Sequence, residues 1–212
     1  MDSGTATTSK RLLTLFVAAW LGIALAVTAS ARDTQRSNWT TPDLPCDRYG
    51  DIRRPVLGEI GVRIDAAEPW AKAFRRALSF WNTVLVANFH EEPKLSACAI
   101  RIVNGGPEIL SGPVVARSQF PAWVGFEGKI AVTPKTAGTM TSGEMYGTAV
   151  HELGHMLGLR HNSSSRSIMY FLDVNGSEAL DSTDVLDLST HHKLRPNIVA
   201  SIAFLPIQMA RR

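Results

Sequence analysis

The chain has 212 residues, and 45% of them are hydrophobic. It can therefore bury one good core, and we expect a single domain. The formal net charge is only +3, and no basic cluster is interleaved with aromatic residues, so nucleic acid is not an expected partner.

Residues 1–31 have the composition of a targeting segment. Lys10-Arg11 gives a positively charged start, Leu12 to Val27 carries no charge, and Ala29-Ser30-Ala31 resembles a signal-cleavage site. The apolar run is shorter than the ~20 residues that a membrane-spanning helix needs. We therefore predict a cleaved signal peptide and a secreted or extracytoplasmic protein. The alternative is a membrane anchor over residues 12–30.

The part of the chain before the folded domain is predicted to be irregular. Residues 32–57 are rich in polar residues, Pro and Arg, a composition typical of a segment that lies over a surface. The domain itself is predicted to span residues 58–194, and residues 195–212 form a C-terminal tail. The sequence does not decide whether that tail packs on the domain or touches a membrane surface.

The first half of the domain predicts a strand–helix–strand unit. The alternation of Ile60, Val62 and Ile64 indicates a half-buried strand. An amphipathic helix follows, because apolar residues recur at steps of three and four. They are Trp70, Phe74, Ala77, Trp81 and Leu85. The next strand covers 97–103, so the two strands are predicted to be parallel neighbours. Residues 129–133 predict a further strand.

A second helix is predicted from about Ser142. Thr141 and Glu144 have the spacing of a capping box, in which each residue bonds the backbone N–H of the other. Met145, Ala149, Leu153 and Met156 then recur at helical steps and are expected to form its buried stripe.

Three histidines near the end of this helix have the spacing of a metal site. Residues four apart on a helix lie nearly above one another, so His151 and His155 can direct two imidazoles at one point. Gly158 allows the chain to leave the helix, and His161 can then arrive as a third ligand. Three imidazoles suit Zn²⁺ and leave a fourth position open, as in a catalytic site. Glu152 can reach a water at that position.

The eleven-residue window H-E-x-x-H-x-x-G-x-x-H, followed by Met169, resembles the signature of the metzincin zinc metalloproteases. The step of eight residues from His161 to Met169 is that of the matrixins, the matrix-metalloprotease family. Asn162 departs from the family pattern, which usually has Ser after the third His. The resemblance covers roughly Gly58 to Leu194.

The resemblance implies an α+β fold of the metzincin catalytic type. It has a twisted, mostly parallel sheet with one antiparallel edge strand, a backing helix, an active-site helix and a C-terminal helix. The edge strand is expected within 112–121, above the zinc cleft, and the loop 171–180 helps to shape a substrate pocket. A last helix is expected from Asp181 through about His192, with His191 and His192 on its surface.

The implied function is that of a secreted zinc-dependent endopeptidase. Glu152 would be the general base for a zinc-bound water, and Met169 would lie under the metal without binding it. An extended peptide or protein is the expected substrate, and the expected state is a monomer. Family members often have a structural-zinc His where Arg117 stands, so a second zinc is not expected. The segment around Asp173 lacks EF-hand spacing, and calcium is not expected there either.

Two other readings of the function stay open from the sequence alone. One is a zinc-stabilised binding module that cleaves nothing. A module of that kind has no use for a carboxylate at the position of Glu152. The other is a membrane-tethered protease, which would differ in its first 31 residues and not in its chemistry.

Cys46 and Cys98 are the only cysteines. An even count in an exported protein favours a disulfide, which would stabilise the fold by roughly 4 kcal/mol in the chain-entropy model. Matrixins also have a pro-segment thiolate that occupies the open position of the zinc. The residues beside Cys46 match that motif poorly, because Pro45 and Asp47 replace its Arg and Gly. Two free thiols are the third alternative, and non-reducing peptide mapping distinguishes the three.

Overall fold

A computed structural model of the chain describes residues 58–107, 109–110, 112–121, 127–134, 138–171 and 179–198. In chain order, its helices and strands are β1 (Glu59–Asp65), α1 (Glu68–Val84), β2 (Asn88–Glu91), β3 (Cys98–Asn104), β4 (Ala116–Ser118), β5 (Lys129–Val132), α2 (Ser142–Met156) and α3 (Ser182–His191). The signal-like segment, the irregular segment with Cys46, and the tail beyond Ile198 lie outside the described residues.

The five strands form one sheet in the order β2-β1-β3-β5-β4. All neighbours are parallel except β4, which is antiparallel to β5 at the edge of the sheet. The predicted fold class is therefore confirmed, as is the predicted parallel pairing of β1 with β3. The sequence did not predict β2, because its four residues contain a single buried apolar side chain, Phe89, and show no alternation.

Helix α1 joins the sheet to α2 through its aromatic side chains. It begins with Pro69 in its first turn, where the missing N–H costs no helical hydrogen bond. Trp70 and Trp81 are fully buried, and each large apolar side chain of this kind stabilises the fold by ~1.5–3 kcal/mol. The indole N–H of Trp70 donates to the carbonyl of Thr133 beside β5 at 3.0 Å. That of Trp81 donates to the carbonyl of Val150 in α2 at 3.3 Å.

Helix α2 is capped at both ends by its own sequence. At its start Thr141 and Glu144 form the predicted capping box, with the Glu144 N–H donating to the Thr141 hydroxyl at 3.2 Å. At its end Gly158 has φ +98°, a left-handed conformation that favours glycine. The N–H of Leu159 then donates to the carbonyl of Gly154 at 3.0 Å, which is the bond of a Schellman motif. The helix therefore ends at Met156, one residue after its second histidine.

Helix α3 has the predicted cap at Asp181, and its other end supports α2. His192 follows the helix, and its Nε2–H donates to the carbonyl of Leu157, 2.7 Å away. The ring is partly buried, and burial lowers its pKa, so the imidazole is held neutral. The expectation that His192 is a surface residue is therefore corrected, because it bonds the carbonyl that ends α2. None of the three helices described is long and apolar enough to span a lipid bilayer.

Candidate metal centre and active site

The structure brings His151, His155 and His161 together beside the sheet edge. Their ligating nitrogens all lie within 4.8 Å of one another, and the Nε2 atoms of His155 and His161 are 3.1 Å apart. Two ligands that are each 2.0–2.1 Å from a tetrahedral zinc lie about 3.3 Å apart. The spacing of these nitrogens therefore fits a zinc ion.

Backbone carbonyls fix the tautomers of two of the rings. His151 Nδ1 lies 2.7 Å from the carbonyl oxygen of Ile168, and His155 Nδ1 lies 2.8 Å from that of Leu159. Because a carbonyl can only accept, both Nδ1 atoms carry the hydrogen, and both Nε2 atoms keep a free lone pair. Second partners of this kind orient ligating histidines in known zinc sites.

The electrostatics of the site also suit a metal ligand. Burial is the largest influence on His155 and lowers the pKa of its ring, against the opposing effect of the Glu152 carboxylate. Burial likewise lowers the pKa of His161, again opposed by Glu152. Neutral imidazoles are therefore favoured, and a metal binds only the neutral ring.

Glu152 shares a cleft of about 530 Å³ with His155 and His161. Glu152 is 8% exposed, so most of the residue is enclosed. The wall of the same cleft includes β4, through Ala116 and Ser118. The carboxylate, the two imidazoles and the sheet edge thus border the same space.

The turn at Ser167–Met169 packs directly against the histidines. Its carbonyl at Ile168 is the group that orients His151, and the N–H of Met169 donates to the hydroxyl of Ser167 at 2.8 Å. Met169 is fully buried. The turn therefore positions His151, a candidate metal ligand, through its backbone while its methionine fills the space below α2.

Comparison with known proteins agrees with this geometry. Residues 62–190 match the matrixin family of peptidases. The chain belongs to the matrixin family. It is also 31% identical over 146 residues to Metalloendoproteinase 1 of Glycine max, and the alignment covers 60% of this chain and 46% of that relative. This matrixin thus spans about half the length of the relative that it matches.

In this matrixin, Gly154 is required by the close approach of Met169. A Cβ built on Gly154 would lie 2.6 Å from the sulfur of Met169 and 3.4 Å from the ring of Trp81. Both neighbours are fully buried and have little room to move. A side chain at this position would therefore push the methionine away from the helix.

We expect Gly154→Ala to lower the free energy of unfolding by ~1–3 kcal/mol, because the added methyl group overpacks the site. Gly143→Ala, in the first turn of the same helix, is the matched control. A Cβ there meets nothing closer than 3.9 Å, so alanine should stabilise the protein by up to ~1 kcal/mol through helix propensity. Thermal unfolding of both variants is the measurement. Equal shifts in the melting temperature would show that Met169 is not held as described.

The sequence did not single out two residues of this matrixin's cleft. The hydroxyl of Ser118 on β4 is buried and has no hydrogen-bond partner among the described residues. The guanidinium of Arg160 lies over the ring of Phe120, 5.6 Å from its centre. Both residues border the cleft. Arg160 stands inside the zinc motif, which could have drawn attention to it, whereas nothing in the sequence marks Ser118.

Proposed function

We propose that this matrixin is a zinc-dependent endopeptidase. The observation that carries the proposal is the convergence of three histidine nitrogens, two of them on rings that border the same cleft as Glu152. His151, His155 and His161 are the proposed zinc ligands, and Glu152 is the proposed catalytic residue. The family and the relative named a metalloendoproteinase support the same chemistry.

The chain's own groups have distinct tasks in this chemistry. Zn²⁺ bound by the three imidazoles would polarise the scissile carbonyl and lower the pKa of water toward ~7. Glu152 takes the proton from the attacking water and passes it to the leaving nitrogen, which departs as an amine. The carbonyls of Ile168 and Leu159 hold the rings of His151 and His155 in the required tautomer throughout.

The substrate is proposed to be an extended peptide that adds to the sheet beside β4. This strand pairs on one side with β5, and it pairs with no other strand of the described residues. Backbone hydrogen bonds to such an edge bind a peptide with little regard to its sequence.

Cleavage-site profiling of a peptide library tests this mode of binding. We expect the preference to be dominated by the residue just after the scissile bond. Only that residue's side chain would enter a pocket, whereas the other substrate residues would bind the sheet edge mainly through their backbone. A preference set by charged residues far from the bond would contradict it. The loop 171–180, which was predicted to shape the pocket, is described at Phe171 and from Ala179 onward.

Glu152 also favours an enzyme over a zinc-stabilised binding module. A structural zinc site is closed by four protein ligands, whereas three histidines and a neighbouring carboxylate leave one position for water. Secretion, a monomeric state and the Cys46–Cys98 disulfide are further parts of the proposal and rest on the sequence. Cys98 is fully buried on β3, and Cys46 lies outside the described residues.

A further inference from the structure

Asn162, the residue after the third histidine, has every polar atom of its side chain occupied. Its Nδ2 donates one hydrogen to Asp181 Oδ1 at 2.9 Å and the other to Asp184 Oδ1 at 2.8 Å. Its Oδ1 accepts the N–H of Ser164 at 2.9 Å. One amide thus connects the loop that carries His161 to the first turn of α3.

The carboxylate of Asp184 continues this connection to the turn at Met169. Its Oδ2 accepts the hydroxyl of Ser167 at 2.5 Å, and that hydroxyl in turn accepts the N–H of Met169. The N–H of Asn162 also donates to the carbonyl of Met169 at 2.8 Å. Because Ile168 in the same turn orients His151, the network joins the backbones that hold two of the three proposed ligands.

The network is buried at Asp184 and Ser167 and partly buried at Asn162 and Asp181, which makes the bonds to Asp184 costly to lose. Asp184 is 3% exposed and Ser167 is 2% exposed. Among the described residues no Lys or Arg forms an ion pair with Asp184, so its carboxylate depends on hydrogen-bond donors. Removing one donor leaves part of a buried charge without a partner, which is more costly than losing the bond between two neutral groups.

We propose that Asn162 is a positioning residue of the metal centre, which locks the His161 loop to the Met169 turn through Asp184. The proposal deepens the proposed function and rests on its zinc site. Serine, the usual matrixin residue here, is shorter than asparagine and has one hydroxyl hydrogen, so it can donate to only one carboxylate. Asparagine donates to two at once.

The same geometry bears on a modification motif. Asn162-Ser163-Ser164 has the sequence of an N-glycosylation acceptor. A glycan would replace one hydrogen of Nδ2, although both hydrogens are already donated to carboxylates. We infer that this motif carries no glycan in the folded, metal-loaded protein.

Asn162→Asp is the sharpest test because it keeps the shape of the side chain, removes both donors and adds a charge against two carboxylates. Ser164→Ala is the matched control, since it destroys the glycosylation motif and keeps the backbone N–H that Asn162 bonds. Zinc affinity is measured by competition with a chelator, and the Co²⁺-substituted proteins are compared by their visible absorption spectra. Both measurements are made where circular dichroism shows a folded chain.

We expect Asn162→Asp to bind zinc about 10–100-fold more weakly than the wild type and to change the Co²⁺ spectrum. Ser164→Ala should match the wild type in both. Should Asn162→Asp fail to fold, Asn162→Ser retains one donor and should show an intermediate loss of affinity. Wild-type affinity and spectrum in whichever of these variants folds would overturn the proposal. A wild type that binds zinc but cleaves nothing would refute only the proposed function.

Expression through a glycosylating secretory pathway tests the inference about the glycosylation motif at Asn162. Peptide mass mapping of the zinc-containing fraction should find Asn162 unmodified. A glycan on Asn162 in that fraction would overturn the inference about the motif.

Discussion

Glu152→Ala is expected to lower the rate of casein digestion by at least ~10²–10⁴-fold while zinc binding persists. The carboxylate shares the cleft with His155 and His161 but is not one of the three proposed ligands. Its loss removes the group that accepts the proton from water and leaves the imidazoles in place. The measurement is kcat/KM on casein or gelatin, together with zinc content of the same preparation.

Glu152→Gln is the closest control for shape, because it keeps the volume of the side chain and cannot accept the proton as a base. It should be as inactive as the alanine variant. If either variant digests casein at the wild-type rate, Glu152 is not the base. If either loses its zinc, the loss of activity has another cause and the assignment of roles is wrong.

Removal of the metal should abolish digestion completely, since the ion would supply the charge that polarises the peptide carbonyl. Treatment with a chelator followed by dialysis is expected to reduce activity to background, and added Zn²⁺ should restore it. Mg²⁺ serves as the control, because three imidazoles bind it poorly compared with oxygen ligands. Activity that survives chelation would refute a metal-dependent mechanism.

The sequence predicted the parts of this site that depend on local spacing. His151, Glu152 and His155 lie within five residues, and helical periodicity alone places them together. The capping box at Thr141 and the turn at Gly158 likewise depend on residues that are close together in the sequence, and both were confirmed. Strands β1 and β3 were predicted because each has a long alternating or apolar pattern.

Features that depend on contacts between distant segments could not be predicted in this way. Asn162 contacts Asp184 only because α3 packs beside the loop that carries His161. The sequence showed Asn162 merely as a departure from the family pattern. Ser118 has no distinguishing sequence pattern, and only the fold shows that its hydroxyl is buried without a hydrogen-bond partner among the described residues. His192 was misjudged for the same reason, since its partner at Leu157 is 35 residues away.

The central claim, a zinc held by three histidines at a catalytic centre, is tested most directly by elemental analysis of the purified chain. The wild type should contain one zinc per chain, and His155→Ala, which lacks a central ligand, should lose it on dialysis together with its proteolytic activity. A wild-type chain that digests casein without zinc, or a His155→Ala chain that keeps a full zinc complement, would contradict the account.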